Sequence, residues 1–251
     1  ICKLPADKKP ARETIQKLIK RCLYIEKVNT ILNVKVIQTA DFFKNNGFHP
    51  ILLKGQGLAQ IYPNPLRRMP GDIDLWLADD RKEIINFVRK LHPESEVLYH
   101  HIHIKEQDGL DVEVHMVPSL LFNPFANARL KSLWKDWGEK CMEIGFKSIE
   151  GKVNIPCDEM NRVFLLLHKY RHLFDEGIGL RQMVDYMMLL RKGFTEEERV
   201  RTVRILKDLH LTAFCRAVMF VLTDAFGMKK EYLLMEPDEK AGKLLGENGY
   251  D

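Results

Sequence analysis

The hydrophobic pattern at the start of the chain has helical spacing. From Pro10 to Asn46, apolar residues recur mostly three or four positions apart with charged residues between them, which predicts one long or two shorter amphipathic helices. The run Asn45-Asn46-Gly47 predicts their end, because Asn and Gly tolerate the left-handed conformation that closes a helix. A strand over 50–53 and a short helix over 58–62 are predicted to follow.

A period of two marks the middle of the chain. The segment Asp72 to Leu77 alternates at its start, so it is predicted to be a strand with two acids on one face and apolar residues on the other. The other predicted elements are a helix over 81–91, strands over 100–105 and 110–117 joined by a turn at 107–109, a short helix over 129–137, and a strand pair within 140–155. This order predicts an α/β sheet with helices packed against it.

The last third of the chain returns to helical spacing. Helices are predicted over 160–172, 180–191, 195–209 and 211–226, and the polar tail after Pro237 is expected to fray. The predicted fold class is therefore α+β (α/β): a core with a mixed sheet, flanked by helices. The predicted division is 1–47 for N-terminal helices, 48–155 for the core and 156–251 for a C-terminal helical domain.

Composition limits the possible partners. With 45% hydrophobic and 29% charged residues, the chain is typical of a soluble globular protein. The net charge of +4 is dispersed, which suits an anionic substrate such as a nucleoside triphosphate (NTP) but not duplex DNA. No uncharged apolar run approaches the ~18 residues of a membrane span, so no membrane partner is expected. The five cysteines are far apart, which favours the cytoplasm.

Asp72 and Asp74 are the main candidates for chemistry. Two residues apart on a strand, about 6–7 Å, both carboxylates can point at one spot. Such a pair is stabilised by cations, and Mg²⁺ prefers carboxylate oxygens and substrate phosphates. A second ion would bridge the attacking and leaving oxygens, and Mn²⁺ is the alternative to Mg²⁺. The competing interpretation is a pair of solvated surface acids, although Asp is a poor strand residue.

A third acid is predicted on the strand that contains Asp111, Glu113 and His115, which share a face. Either acid could complete the metal shell, act as a general base or orient an acceptor hydroxyl. His115 is expected to hydrogen-bond a carboxylate. The competing interpretation is an edge strand with a polar outer face.

A phosphate-binding segment is predicted on the N-terminal side of Asp72 and Asp74. The turn at Gly55-Gln56-Gly57 offers backbone N–H groups, Lys54 adds a charge, and Arg67 and Arg68 could bind phosphates as forks. A lone G-x-G is weak support, and it matches neither a Walker loop nor the dinucleotide fingerprint.

The helical part offers two further pairs four residues apart. Arg181 and Asp185 either form an intrahelical ion pair or contribute to the site. His168 and His172 have the spacing of a helical metal pair, but satisfied or solvent-facing histidines are the favoured interpretation because no H-E-x-x-H motif is present.

These residues together resemble a known family. Ile51-Leu52-Leu53-Lys54-Gly55, then Gly71-Asp72-Ile73-Asp74-Leu75, the Val112 to His115 strand and the helix from Leu180 to Asp185 are similar to the uncharacterised nucleotidyltransferase family of the DNA polymerase β superfamily. The resemblance implies a polymerase β-like core, magnesium at Asp72 and Asp74, Glu113 as third acid, and nucleotide phosphates near Gly55.

Two departures from the superfamily accompany the resemblance. Gln56 stands where the superfamily has Ser after Gly, and Glu113 stands where the third acid is usually Asp, so Glu113 and Asp111 compete for that role. The predicted function is metal-dependent transfer of a nucleoside monophosphate from an NTP to a hydroxyl of a small molecule, a protein or an RNA. The alternatives are a catalytically degenerate nucleotide- or partner-binding regulatory module, and a helical interaction protein if the acids lie on different faces.

Overall fold

The computed structural model describes residues 5, 8–104, 110–175, 177 and 179–249. The helices are α1 Arg12–Asn45, α2 Gln56–Ala59, α3 Arg81–Leu91, α4 Pro124–Gly138, α5 Asp158–Asp175, α6 Leu180–Arg191, α7 Glu196–Asp208, α8 Thr212–Asp224 and α9 Glu239–Gly249. The strands are β1 Pro50–Leu52, β2 Ile73–Leu77, β3 Glu96–Val97, β4 His101–Ile104, β5 Val112–His115, β6 Met142–Ile144 and β7 Val153–Ile155.

The strands form one mixed sheet, which confirms the predicted α+β class. Their order is β3-β4-β5-β2-β1-β7-β6. Strand β2 is antiparallel to β1 and parallel to β5, while β5 is antiparallel to β4. The two acid-bearing strands predicted from the sequence are therefore neighbours at the centre of the sheet.

The two faces of the sheet pack against different helices. Ile73, Leu75 and Leu77 share a hydrophobic cluster with apolar residues of α1 and α3. Trp76 belongs to a second cluster with residues of α4, α5, α6 and α8. The predicted alternation of β2 is thus confirmed, and the face that carries Asp74 is turned toward the C-terminal helices.

Several predicted elements differ from the observed ones. The N-terminal pattern forms a single helix, which ends before Gly47 at a positive φ of 87°. The short helix begins earlier, at Gln56, and α4 begins at Pro124, because the Asn123 side chain caps it. The sequence did not indicate β3. The predicted turn at 107–109 lies outside the described residues.

The prediction that the tail frays is wrong. Helix α9 follows Pro237 and packs on α8: Leu245 is buried, and a Cβ at Gly242 would lie only 2.3 Å from the Phe220 ring. Absence of a side chain at Gly242 lets the two helices approach closely. Among the described helices, none is both long and apolar enough to cross a membrane.

Candidate functional site

Neighbouring strands place the candidate acids side by side. In the register of β2 and β5, Asp74 is opposite Glu113 and Trp76 is opposite His115. Parallel pairing of strands with the same alternation puts Asp74, Glu113 and His115 on one face. Asp72 lies just before β2 and, like Asp74, borders the compartment next to α5 and α6. The two aspartates therefore share a face. The helical interaction protein was the alternative if the acids lay on different faces, and this arrangement does not favour it.

Asp74 is buried and has two cationic or polar partners. Its Oδ1 atom lies 2.8 Å from Lys54 Nζ and 2.9 Å from His115 Nε2. Burial alone would raise the pKa of Asp74, but Lys54 and His115 hold it well below its ordinary value. Asp74 is therefore a carboxylate at neutral pH, and neither of these contacts uses its Oδ2 atom.

His115 joins the two acids of the neighbouring strands. Its Nε2 atom is 3.3 Å from Glu113 Oε2 as well as 2.9 Å from Asp74 Oδ1, so the predicted hydrogen bond to a carboxylate is confirmed. Burial opposes a charge on His115, yet the two acids raise its pKa. Burial likewise opposes ionisation of Glu113, but His115 lowers the Glu113 pKa. The donor atoms of Asp74, Glu113 and His115 lie within 4.8 Å of one another.

Asp72 has a different environment from Asp74. It is exposed at the rim of the cleft. Partial desolvation raises the pKa of Asp72, and repulsion from Asp74 and Glu113 raises it further. Asp72 is thus a carboxylate that a bound cation would stabilise. The acid on the other side of Glu113, Asp111, lies 3.4 Å from His103 and does not border the cleft.

Asp72 and Glu113 open into a cleft of about 390 Å³ between the sheet and helices α5 and α6, and Asp74 borders a smaller cavity that adjoins it. Its basic and polar wall residues are Lys54, His100, His101, His168, Arg171, His172, Arg181 and Gln182. Lys54 Nζ is 3.3 Å from His168 Nε2. Burial and the Lys54 charge hold the pKa of His168 well below its ordinary value, so His168 is neutral. The cleft therefore places acids opposite cations, as a metal-bound polyphosphate requires.

A close approach across the cleft depends on Gly71. Arg181, at the start of α6, donates a hydrogen bond of 2.8 Å from Nη1 to the carbonyl oxygen of Pro70. A Cβ at Gly71 would lie 2.8 Å from that same nitrogen. The missing side chain thus lets Arg181 lie next to Asp72.

The predicted phosphate-binding residues do not all reach the cleft. Lys54 borders it, while Gly55, whose φ of 57° favours glycine, borders an adjoining smaller cavity that also contains Asp72 and Asp74. Gln56 points the other way: its buried side chain donates to Asn33 Oδ1 on α1 at 2.8 Å. Arg67 is an exposed partner of Glu26 at 2.7 Å. The structure thus keeps Lys54 and Gly55 at the site but turns the side chains of Gln56 and Arg67 away.

Arg68 lines the adjoining smaller cavity, where it forms a buried ion pair. Its Nε and Nη2 atoms each donate to Asp185 at 2.8 Å, and Tyr62 donates to the same carboxylate at 2.6 Å. The pair suggested between Arg181 and Asp185 is not formed, because Asp185 binds Arg68 and Arg181 binds the carbonyl of Pro70.

Sequence reasoning missed several residues at this site. His100 and His101 lie beside His115, and burial with the nearby Arg171 lowers the pKa of His100 to about 3. Burial lowers the pKa of Lys169 to about 7. The alternation of His101 and His103, matching that of Glu113 and His115, was the one available signal. Lys169 follows His168 on a helix, and no sequence pattern indicated that it lies at the site.

A fourth missed residue is Gln182, whose buried Oε1 atom has no hydrogen-bond partner in the described structure. It lines the cleft one position after Arg181. An unpaired buried acceptor at such a position suits a ligand that brings a donor.

The mixed sheet therefore places acids on adjacent strands under a cationic wall. Over residues 1–227 the chain matches the family described as "Uncharacterised nucleotidyltransferase", and it belongs to that family. Membership supports nucleotidyl transfer as its general function. The chain is also similar to the solved structure of an antigenic nucleotidyltransferase-like protein from Paracoccidioides brasiliensis, with 13% identity, a TM-score of 0.43, and coverage of 82% of this chain and 93% of that one. No curated protein matches the chain significantly.

Proposed function

We propose that this protein is a metal-dependent nucleotidyltransferase that transfers a nucleoside monophosphate from an NTP to a hydroxyl group, with pyrophosphate as the leaving group. The observation that carries the proposal is the approach of Asp74 and Glu113 on adjacent strands, with Asp72 at the same cleft and cationic side chains opposite. Small molecules, proteins and RNA all remain candidate acceptors.

The donor atoms fit Mg²⁺, with Mn²⁺ as the alternative. Asp72, Asp74 and Glu113 offer hard carboxylate oxygens. Burial and then repulsion from Asp74 and Glu113 raise the pKa of Asp72, and a bound cation would offset that repulsion. These residues would hold one or two ions, and a bound ion would neutralise charge on the phosphates and on the transferring oxygens. The ammonium of Lys54 currently partners Asp74, so we expect Lys54 to shift toward the phosphates when metal and NTP bind.

The charge of each side chain at the cleft suggests its role in binding phosphate, orienting the substrates or accepting a proton. Lys54 and Arg181 border the cleft where they can bind phosphate oxygens, and Arg181 can do so as a fork. The Gln182 carbonyl can accept a hydrogen bond from the nucleotide or the acceptor. Glu113 is ionised, since His115 lowers its pKa, and can therefore accept a proton from an acceptor hydroxyl. Positioning and charge neutralisation would supply most of the rate.

The test is label transfer. The protein would be incubated with Mg²⁺, cell extract and each NTP labelled at the α-phosphate, and labelled small molecules, proteins and RNA would be separated. We expect labelling by the wild type, and its loss in Asp72→Asn, Asp74→Asn and Glu113→Gln. Asp111→Asn is the matched control, because Asp111 shares the strand face but pairs with His103 outside the cleft. Equal loss in Asp111→Asn would contradict the assignment of Glu113.

Nucleotide binding without turnover is the second candidate, favoured by the Lys54 to Asp74 ion pair, which neutralises Asp74 without a metal. Calorimetry separates the two. Addition of Mg²⁺ in the presence of a non-hydrolysable NTP should give binding that Asp74→Asn abolishes if the acids hold the ion. Equal Mg²⁺ binding in both proteins, with no label transfer, would favour the regulatory module.

We also propose that the protein works in a reducing compartment such as the cytoplasm. Cys22, Cys141, Cys157 and Cys215 are all free thiols. Free thiols persist where disulfides are reduced.

A further inference from the structure

Three histidines converge on one wall of the cleft. Ring nitrogens of His100, His101 and His115 lie within 4.8 Å of one another. His101 and His115 are direct partners across the antiparallel strands β4 and β5, and their ring centroids are 5.3 Å apart. His100 lies just before β4, outside the strand's alternation, and its ring contacts that of His101 at 4.3 Å. All three rings border the cleft.

His115 has an unused nitrogen atom in a buried position. The residue is only 4% exposed, and its Nδ1 atom has no hydrogen-bond partner among the described residues. Its Nε2 atom contacts the ionised Asp74, which can only accept, so Nε2 carries the proton. Nδ1 is therefore the nitrogen of this ring that can ligate a metal ion, which would displace any proton bound there. Metal-bound histidines in proteins show this arrangement, in which the second ring nitrogen donates to a carboxylate.

We propose that His100, His101 and His115 form a cation site for a transition-metal ion of the Zn²⁺ type, distinct from the oxygen site at the acids. Three imidazole nitrogens suit Zn²⁺, Ni²⁺ or Cu²⁺, whereas Mg²⁺ prefers oxygen. The ion would replace the contact of 2.9 Å between His101 Nδ1 and His100 Nε2. The negative charges of Asp74 and Glu113 beside the cluster favour a cation there.

The site would leave one coordination position open. Three protein ligands are typical of zinc sites that keep a fourth position for water or substrate. Because all three rings border the cleft, that position would be accessible to an oxygen or nitrogen atom of the acceptor. This role rests on the proposed function, whereas the ion site itself does not.

The experiment measures metal binding without any nucleotide. Zn²⁺ and Mg²⁺ would be titrated separately into metal-free protein by calorimetry, and the visible spectrum with Co²⁺ would report its coordination geometry. We expect one Zn²⁺ per chain, bound at least about tenfold more tightly than Mg²⁺. His100→Ala and His101→Ala should each weaken Zn²⁺ binding by about tenfold or more, with loss of the four-coordinate Co²⁺ spectrum.

His103→Ala is the matched control. His103 lies on the same strand face as His101, but its Nε2 atom is 3.4 Å from Asp111 and it does not border the cleft. Asp72→Asn is a second control, because Asp72 is outside the imidazole cluster. Both should bind Zn²⁺ like the wild type. An equal loss in His101→Ala and His103→Ala, or wild-type protein that prefers Mg²⁺, would overturn the proposal.

The design avoids two ambiguities. The buried His115 is left unchanged because its replacement could prevent folding, and circular dichroism would show that the His100 and His101 variants are folded. Zn²⁺ binding without nucleotidyl transfer would refute the proposed function alone. Transfer in a protein that binds no Zn²⁺ would refute only the imidazole site.

Discussion

Replacement of Lys54 by Met should destabilise the metal-free protein and make Mg²⁺ stabilise it more strongly. Lys54 Nζ is 2.8 Å from Asp74 Oδ1, and Asp74 is 4% exposed. Met keeps most of the length of the lysine side chain but removes its charge. The variant thus leaves a buried carboxylate without its ammonium partner, while the contact with His115 remains.

The magnitude follows from the burial of the pair. Removal of one partner from a buried ion pair costs about 3–5 kcal/mol. The lower end applies, because the Lys54 side chain is 19% exposed and His115 still contacts Asp74. We therefore expect the free energy of unfolding in EDTA to fall by about 3 kcal/mol. Without the competing ammonium, Mg²⁺ should bind the variant more tightly than the wild type. A Kd lower by about 100-fold would add about 2.7 kcal/mol at saturation, so saturating Mg²⁺ should remove most of the difference.

The assay is urea unfolding followed by tryptophan fluorescence, since Trp134 and Trp137 are buried. Curves would be measured in EDTA and over a series of Mg²⁺ concentrations. Lys152→Met is the control: Lys152 pairs with Glu143 at 3.0 Å, but its side chain is 65% exposed, so we expect a change below about 1 kcal/mol and no added response to Mg²⁺. A Lys54→Met protein that matches the wild type in EDTA, or gains no more from Mg²⁺, would refute the reasoning.

Three further predictions concern the residues around the cleft. Because burial lowers the pKa of Lys169 to about 7, the unfolded chain binds more protons between pH 7 and pH 10, so wild-type stability should rise with pH there. Lys169→Met should flatten that rise in urea unfolding, and an unchanged slope would contradict the assignment. Asp185→Asn should cost about 3 kcal/mol or more by the same measurement, because it leaves Arg68 buried and poorly paired; an unchanged midpoint would show that the pair is dispensable. Gly71→Ala should displace Arg181 and weaken NTP binding in calorimetry without unfolding the protein, whereas wild-type affinity would remove Arg181 from the phosphate site.

The central strands could be predicted from the sequence because their pattern is local. Asp74 lies in an apolar strand and Asp72 lies just before it, two residues away, and Glu113 repeats the alternation on a second strand. The sequence alone could not show that β2 and β5 are parallel neighbours, since pairing depends on how the intervening chain folds back. The strand face that carries each acid could be predicted from the sequence, but the proximity of Asp74 to Glu113 could not.

The contacts that were missed join residues distant in sequence. Gln56 sits in a glycine turn that favoured a role with phosphate, yet it bonds to a buried Asn33 on α1. Asp185 has a helical neighbour of opposite charge at Arg181, but it pairs with Arg68, 117 positions away. In both cases a buried tertiary partner outweighs the local pattern, because a buried polar group without a partner is costly.

The pair of Arg68 and Asp185 explains how the two halves of the site are held together. Arg68 precedes Asp72 and Asp74 in the chain, whereas Asp185 lies on α6 one turn after Arg181. A buried ion pair adds little net stability over apolar residues of the same size, because both ions lose their hydration. Its two parallel hydrogen bonds instead define distance and orientation. The pair therefore fixes where the cation of Arg181 lies relative to the carboxylates, and the charge-based catalysis that we propose would depend on that position.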